Sequence, residues 1–290
     1  MRVLVFGSRG WIGSCFIKHT QHQIIQAKSR PENYEECCSE IESVSPDTVV
    51  SFIGRTHGRD GNGQLVSSID YLELPGKLTE NMRDNFVAPV HLAQICYDRS
   101  IHYMYLGTGC IYTYTDEKYV FSEDDLPNFF GSSYSIIKGA TDREMRRFSN
   151  TLQLRIRMPI SKYSHPRNLL DKLVYYKNIC SAPNSMTVLD DMWIVIDAMI
   201  TEKTTGTYNL ANPGIVEHTW ILEKYKTLVD PGHTWNVITY KEQMTLIKSH
   251  RSNNELSTEK LENFCNTRMI PLPGIHESIV NCLKNYVSHN

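Results

Sequence analysis

The sequence predicts an α/β fold: a Rossmann-like, doubly wound parallel sheet followed by a smaller C-terminal α/β region. Three observations carry this. Short apolar runs alternate with helical stretches through the first 160 of the 290 residues, a glycine-spaced turn directly follows the first run, and the alternation loosens after Met158. Strands that are apolar throughout belong to parallel sheets covered on both faces. Such sheets bind ligands at the carboxyl ends of their strands.

The elements follow in order. VLVFG (3–7) leads through the turn into the helical WIGSCFIKHTQ, and QIIQA (23–27) into the acidic helix YEECCSEIESV (34–44). TVVSFIG (48–54) precedes a polar, glycine-bearing loop and a long helix over 78–97. IHYMYLG (101–107) is the fourth strand, SYSIIKGATDREMRRF (133–148) the next helix, and LQLRIRM (152–158) the fifth strand. GTYNLAN (206–212) reads as one more strand of the same sheet, and the rest as helices and irregular segments.

Bulk properties narrow the function. With 41% hydrophobic and 21% charged residues and a net charge of −2, nothing draws the chain to nucleic acid or an anionic membrane. No uncharged apolar run approaches the ~20 residues that span a bilayer, and MRVLVFGSRG is not a signal peptide. The eight cysteines (15, 37, 38, 96, 110, 180, 265 and 282) form no C-x-x-C pair, and there is no H-E-x-x-H. A metal site or disulfide framework is therefore not expected, and reduced thiols in a cytoplasmic setting are.

The turn GSRGWIG places Gly7, Gly10 and Gly13 between a strand and a helix. The first glycine permits the tight turn, the second lets a pyrophosphate approach the backbone, and the third lets helix and strand pack closely. With Arg9, Trp11 and Ile12 these residues are the candidate dinucleotide site, against the alternative of a purely structural turn. The second strand ends in AKSR, with no acidic residue to take a ribose 2′-hydroxyl. Lys28 and Arg30, with Arg9, suit a 2′-phosphate, which points to NADPH; the alternative is ordinary solvated charge. Residues 1–160, with the return strand near 206–212, are the expected cofactor half, and 161–290 mostly the substrate half.

Y-x-x-x-K occurs twice, as Tyr114/Lys118 and Tyr134/Lys138, so the bare spacing decides nothing in a chain with 16 tyrosines. Tyr114 lies in a polar segment, whereas Tyr134 opens a helix, where a spacing of four stacks both side chains on one face. A carbonyl that accepts hydride needs a proton donor; a lysine ammonium moves a tyrosine toward useful acidity. Thr108, closing the fourth strand, is the right type to hold the carbonyl oxygen. Cys110, two residues on, shares its face if the segment is extended. Its bland reading is a small buried hydrophobe.

These residues together resemble the extended short-chain dehydrogenase/reductase family, whose cofactor turn and Ser/Thr–Tyr–Lys triad they match in order and spacing. GSRGWIG, LGTGCIY, LPNFFGSSYSIIK, LRIRMPIS, HPRNLLDK, PNSMTVLDD, NLANPGIVEH and HRSNNELS extend the resemblance along nearly the whole chain. They are similar to the UDP-4-keto-6-deoxyglucose 3,5-epimerase/4-reductase half of plant rhamnose synthases, and more distantly to dTDP-4-dehydrorhamnose reductase. The 55–75 loop departs from that pattern and lacks its Trp-Cys-Glu segment.

The resemblance implies NADPH-dependent reduction of a nucleotide-linked 4-keto sugar after epimerisation at C3 and C5. Thr108, Tyr134 and Lys138 form the implied triad, with Cys110 and Lys172 as the acid/base pair; Lys172 reads equally as a surface helix lysine. Asn85 is implied to steady the loops at the site, and Asn168, Arg251 and Asn254 to contact the nucleotide diphosphate; each fits a capping or turn role as well. A separate 4,6-dehydratase is expected to supply the substrate, and relatives imply a homodimer through the 78–97 and 133–148 helices. The alternatives are a dTDP-4-dehydrorhamnose reductase without epimerase activity and a non-catalytic reductase-fold subunit. A 4,6-dehydratase is disfavoured, because Gly109-Cys110 stands where that reaction needs Asp-Glu.

Overall fold

The computed structural model describes residues 1–115 and 119–287. Six parallel strands form the central sheet: β1 (Arg2–Phe6), β2 (Gln23–Gln26), β3 (Thr48–Ser51), β4 (His102–Thr108), β5 (Thr151–Ile156) and β6 (Gly206–Asn209). Their spatial order is β6-β5-β4-β3-β1-β2, so the chain reverses direction across the sheet between β1 and β3. A doubly wound sheet opens its ligand crevice at that switch point.

Alternation along β1 shows why these runs are apolar throughout. Val3 and Val5 enter one core with Phe16 of α1 (Trp11–His19) and Met192 and Ile196 of α7 (Leu189–Thr201). Leu4 and Phe6 enter another with Cys37 and Ile41 of α2 (Tyr34–Val44) and Leu92 of α4 (Ala88–Asp98). Successive side chains point to opposite faces, and both faces carry helices.

The helix expected over 78–97 is α3 (Leu78–Met82) running into α4 through a π-helical turn, Arg83–Val87. The helix that bears the lysine motif is α5 (Ser133–Met145), capped by Ser132 Oγ, which accepts from the Ser135 N–H. A third core, built from Ile160, Leu170, Val188, Ile221, Leu222 and Ile279, gathers the region after residue 158. It holds α6 (Leu169–Tyr175), α8 (His218–Leu228) and α9 (Ile275–Lys284). Among the described residues no helix is long and apolar enough to cross a membrane.

Candidate active site

At the end of β1, Gly7 takes φ +75° and Gly10 N–H closes the turn onto Gly7 O at 3.0 Å. A Cβ at Gly7 would stand 2.9 Å from the Phe52 carbonyl carbon, just past β3, and one at Gly13 only 2.3 Å from Gly7 O. The turn therefore lies in the β1/β3 crevice with room for backbone alone, and α1 starts immediately behind it. An anion gains most in that position, facing free N–H groups at a helix N-terminus. Trp11 leaves the turn to stack on His165, ring centroids 5.1 Å apart.

The tip of β2 holds a carboxylate that the local sequence does not reveal. Glu40 of α2 accepts the Lys28 and Ser29 N–H groups at 2.8 Å, and the Ser29 hydroxyl as well. These bonds bend the AKSR loop and leave the Arg9, Lys28 and Arg30 side chains at the surface, Arg30 at 3.8 Å from Glu32. Only the fold brings Glu40, twelve residues on, to this strand tip.

The second part of the site starts at the end of β4. Sequence reading put Thr108 and Cys110 on one face of an extended strand, but β4 ends at Thr108 and the chain turns there. The Cys110 N–H donates to Thr108 Oγ1 at 3.0 Å, a local side-chain turn that competes with strand continuation. The two side chains are neighbours because of that turn. Ser135 of α5 donates to the Cys110 carbonyl at 2.7 Å and fixes it against the helix.

Tyr134, in the first turn of α5, lies within reach of the Thr108 hydroxyl and faces Cys110. Burial pushes its phenol up and Cys110 adds to this, while the Thr108 hydroxyl acts in the opposite direction. Lys138, one helical turn on, donates to the Tyr105 hydroxyl, with its ammonium 4.7 Å from that ring's centroid. It is not among the groups that act on the Tyr134 phenol here. Burial pushes Lys138 down to about 8, and Asp142 and Cys110 oppose this. Thr108, Cys110, Tyr134 and Lys138 thus form one contiguous group. The other Y-x-x-x-K has Tyr114 outside any helix, and Lys118 lies outside the described residues.

The divergent 55–75 loop covers this group. Its 3₁₀ turn, Ile69–Glu73, packs Tyr71 and Leu72 against Tyr134, and the Glu73 carboxylate accepts the Ser133 N–H at 2.7 Å. Asp70 ties the covering loop to a second segment, accepting Lys248 N–H, Ser249 N–H and Ser249 Oγ at 2.8 Å. Burial works to raise the Asp70 carboxyl, but Ser68, Arg251 and Ser249 outweigh it and hold it well below the carboxylate range. Arg251, at 2.6 Å from Asp70, is part of this clasp.

Lys172 belongs to a second group. Burial first, then Arg167 and Arg251, lowers its affinity for a proton. Arg167 donates to His57, which burial and the surrounding cations push down to about 4. Arg55 joins them, paired with Asp84 at 2.7 Å. So many cations around one space favour a multiply charged anion.

The asparagines are scaffold. Asn85, fully buried in the π-helical turn, accepts from Arg55 N–H and donates to Arg55 O, both at 2.9 Å, and its own carbonyl accepts Thr141 Oγ1 at 2.6 Å. Asn168 caps α6, accepting from Leu170 N–H, and donates to the Ser161 and Tyr163 carbonyls. Asn254, also fully buried, donates to Gly109 O at 3.0 Å and Tyr112 O at 2.9 Å, bracing the turn that carries Cys110. One important neighbour escaped the sequence reading: Arg157, wholly buried, whose Nη1 lies 3.2 Å from Cys110 Sγ.

No family model matches the chain. Protein L780 of Acanthamoeba polyphaga mimivirus is 45% identical over 287 residues, covering 96% of this chain and 98% of L780. The crystal structure of the L780 UDP-rhamnose synthase superposes with a TM-score of 0.92 over 98% of this chain and 99% of that one, at 44% identity. An Arabidopsis thaliana bifunctional dTDP-4-dehydrorhamnose 3,5-epimerase/dTDP-4-dehydrorhamnose reductase is 35% identical over 286 residues, 96% of this chain and 90% of that protein. The dTDP-4-dehydrorhamnose reductase of Bacillus anthracis, solved with NADP, shares the fold at 13% identity, TM-score 0.78, over 98% of this chain and 96% of its own. With a glycine turn at the switch point, a Thr–Tyr–Lys group at the sheet edge and relatives of this similarity along nearly its whole length, the chain belongs to the rhamnose-synthase family of nucleotide-sugar reductases.

Proposed function

We propose that the protein is a nucleotide-sugar reductase of rhamnose formation, acting with NADPH on UDP-4-keto-6-deoxyglucose, and that it also epimerises C3 and C5. The observation that carries the reading is the contiguous group of Thr108, Cys110, Tyr134 and Lys138 under the Tyr71 loop. The residues present fit the cofactor. The Gly7–Gly13 turn admits a pyrophosphate at the start of α1, and the exposed Arg9, Lys28 and Arg30 flank the place of a 2′-phosphate. When bound, NADPH supplies hydride for the C4 carbonyl.

The chain's own residues do the rest. Thr108 and Tyr134 hold the C4 oxygen by hydrogen bonds that strengthen as it gains charge. In epimerisation the thiolate of Cys110 takes a proton from a carbon next to the ketone, the electron pair moves to the held oxygen, and a proton returns to the opposite face. We assign that second proton to Lys172, which burial and the neighbouring Arg167 make a readier donor than an exposed lysine. In reduction Tyr134 passes its proton to O4, and Lys138, one turn along the same helix face, turns its ammonium from the Tyr105 hydroxyl to the phenolate left behind. The cations Arg55 and Arg167 suit the diphosphate, and the clasped loops exclude water from the sugar. With exposed Leu78, Tyr97 and Ile136 on their outer faces, α3, α4 and α5 support pairing into a homodimer. A setting in the cytoplasm, beside a separate 4,6-dehydratase, completes the proposal.

Incubation with UDP-4-keto-6-deoxyglucose and NADPH in deuterated water tests it. We expect deuterium at C3 and C5 and oxidation of the cofactor. Cys110→Ala and Lys172→Ala should each slow deuterium entry by about 10² or more. Entry at wild-type rates in both variants removes Cys110 and Lys172 from the acid/base roles, and no enzyme-dependent entry in the wild type leaves a plain 4-ketoreductase. The pH profile gives a second check. Since the folded pKa of Lys138 is about 8, its charge is complete below that pH and lost above it. The rate of reduction should therefore decline above pH 8, and a profile that stays flat to pH 9.5 contradicts the role of the Lys138 cation.

A further inference from the structure

We infer that Arg157 is the built-in counter-ion of the Cys110 thiolate, a positioning residue that keeps this sulfur ionised and aimed beside Tyr134. The inference rests on the reading of Cys110 as the epimerising acid/base, and it names the group that makes that role workable near neutral pH.

The starting point is a cation in the wrong place. Arg157 is 0% exposed, and none of the groups that act on it among the described residues is a carboxylate. A buried charge without a partner is costly, so proteins pair it or hydrogen-bond it fully. Four of its five N–H groups are spent on neutral oxygens and one sulfur. Nη2 donates to Ser252 O at 2.6 Å and to Asn184 Oδ1, and Nη1 donates to Ser252 Oγ and Cys110 Sγ, each at 3.2 Å. Nε has no partner. Of these acceptors only the sulfur can carry a negative charge. A guanidinium that donates to it favours thiolate over thiol, the form that exchanges protons with carbon.

The surroundings hold this geometry. Asn184 binds the guanidinium and also accepts the Asn254 N–H at 2.9 Å; Asn254 in turn braces the turn through Gly109 O. The other titratable groups that face the pair are Tyr114 and His218 toward the guanidinium, and Tyr134 and Lys138 toward the sulfur. His218, held low by burial and Arg157 against the opposing Cys180 carbonyl and Glu217, brings no competing positive charge at neutral pH. Among the described residues Lys138 is the one further cation, and it adds to the effect.

The test is alkylation of the full chain by iodoacetamide, read at each cysteine by peptide mass spectrometry. Cys180, also half-buried, is the internal reference. Between pH 9 and 6 we expect the Cys110 rate to fall by less than about threefold, while the Cys180 rate falls by roughly two orders of magnitude or more. A Cys110 rate that follows the Cys180 slope overturns the inference, and this measurement needs no variant. In R157M, Cys110 alkylation at pH 7 should slow at least tenfold, deuterium entry at C3 and C5 should slow with it, and R157K should recover part of both. Unchanged alkylation in R157M also overturns the inference. Should Cys110→Ala retain deuterium entry, the reading of Cys110 as the epimerising acid/base fails, whereas the alkylation data still decide whether Arg157 is the counter-ion.

Discussion

Replacing Tyr134 with Phe is expected to lower kcat for reduction by about 10³, within the 10²–10⁴ that a positioned general acid contributes. The change removes one hydroxyl. The ring of Tyr134 still packs on Tyr71 and Leu72, so the variant should fold and melt close to wild type. The lost hydroxyl does two jobs in the proposed chemistry, as hydrogen-bond donor to the C4 oxygen and as source of its proton. Deuterium entry at C3 and C5 should slow as well, though less, because Thr108 still holds the oxygen. Stopped-flow measurement of NADPH oxidation reads the first effect. A kcat within tenfold of wild type would assign the proton to another group, and Tyr105 is the other phenol beside Lys138.

The second large effect concerns stability. Arg155 is 0% exposed, and its Nε and Nη2 donate to the two carboxylate oxygens of Asp142 at 2.7 and 2.9 Å. Breaking a buried ion pair by removing one partner typically costs 3–5 kcal/mol; here Asp142 would keep only the more distant Arg146, at 3.5 Å. Arg155→Met should therefore lower the thermal midpoint by roughly 5–8 °C, taking about 2.1 cal/mol/K of unfolding entropy per residue. The double variant Arg155→Met/Asp142→Leu should regain much of that loss, because two apolar side chains leave no uncompensated charge. A double variant as unstable as the sum of the singles would show that the two residues act independently. Asp142 lies one turn beyond Lys138 and favours its charged form, so Asp142→Leu should also bring the alkaline decline in activity to lower pH.

Both arginines mark where reading the sequence stopped. The strands were legible because their residues are apolar in unbroken runs, and burial on both faces demands that. LQLRIRM was legible as a strand too, but its polar alternation resembles that of a strand with one wet face. In the folded chain Gln153, Arg155 and Arg157 are all buried. What keeps them there is Asp142 from a preceding helix and Ser252 from a distant segment, partners that no local pattern announces. Glu40 at the β2 tip escaped for the same reason. The glycine turn and the Tyr134–Lys138 pair were legible because their chemistry depends on short, fixed spacings. The turn at Thr108 was not, since a hydroxyl that captures an N–H two residues on looks the same in sequence as a strand that continues. The covering loop also had no legible partner, as Asp70 reaches residues 248–251 only in three dimensions.

Pro89 gives the π-helical turn a consequence beyond geometry. A proline has no N–H, so the Asn85 carbonyl four residues earlier loses its usual helical donor. Thr141 Oγ1 fills that vacancy from α5, at positions 134, 138 and 141 along one face of the helix. Asn85 then reaches forward through its side chain to both backbone groups of Arg55. A missing hydrogen in one helix has thus become the joint between a helix and a loop. The helix that carries the proposed proton donor and the loop root that carries Arg55 are registered against each other through a single asparagine, with no side chain of the proposed reaction in between.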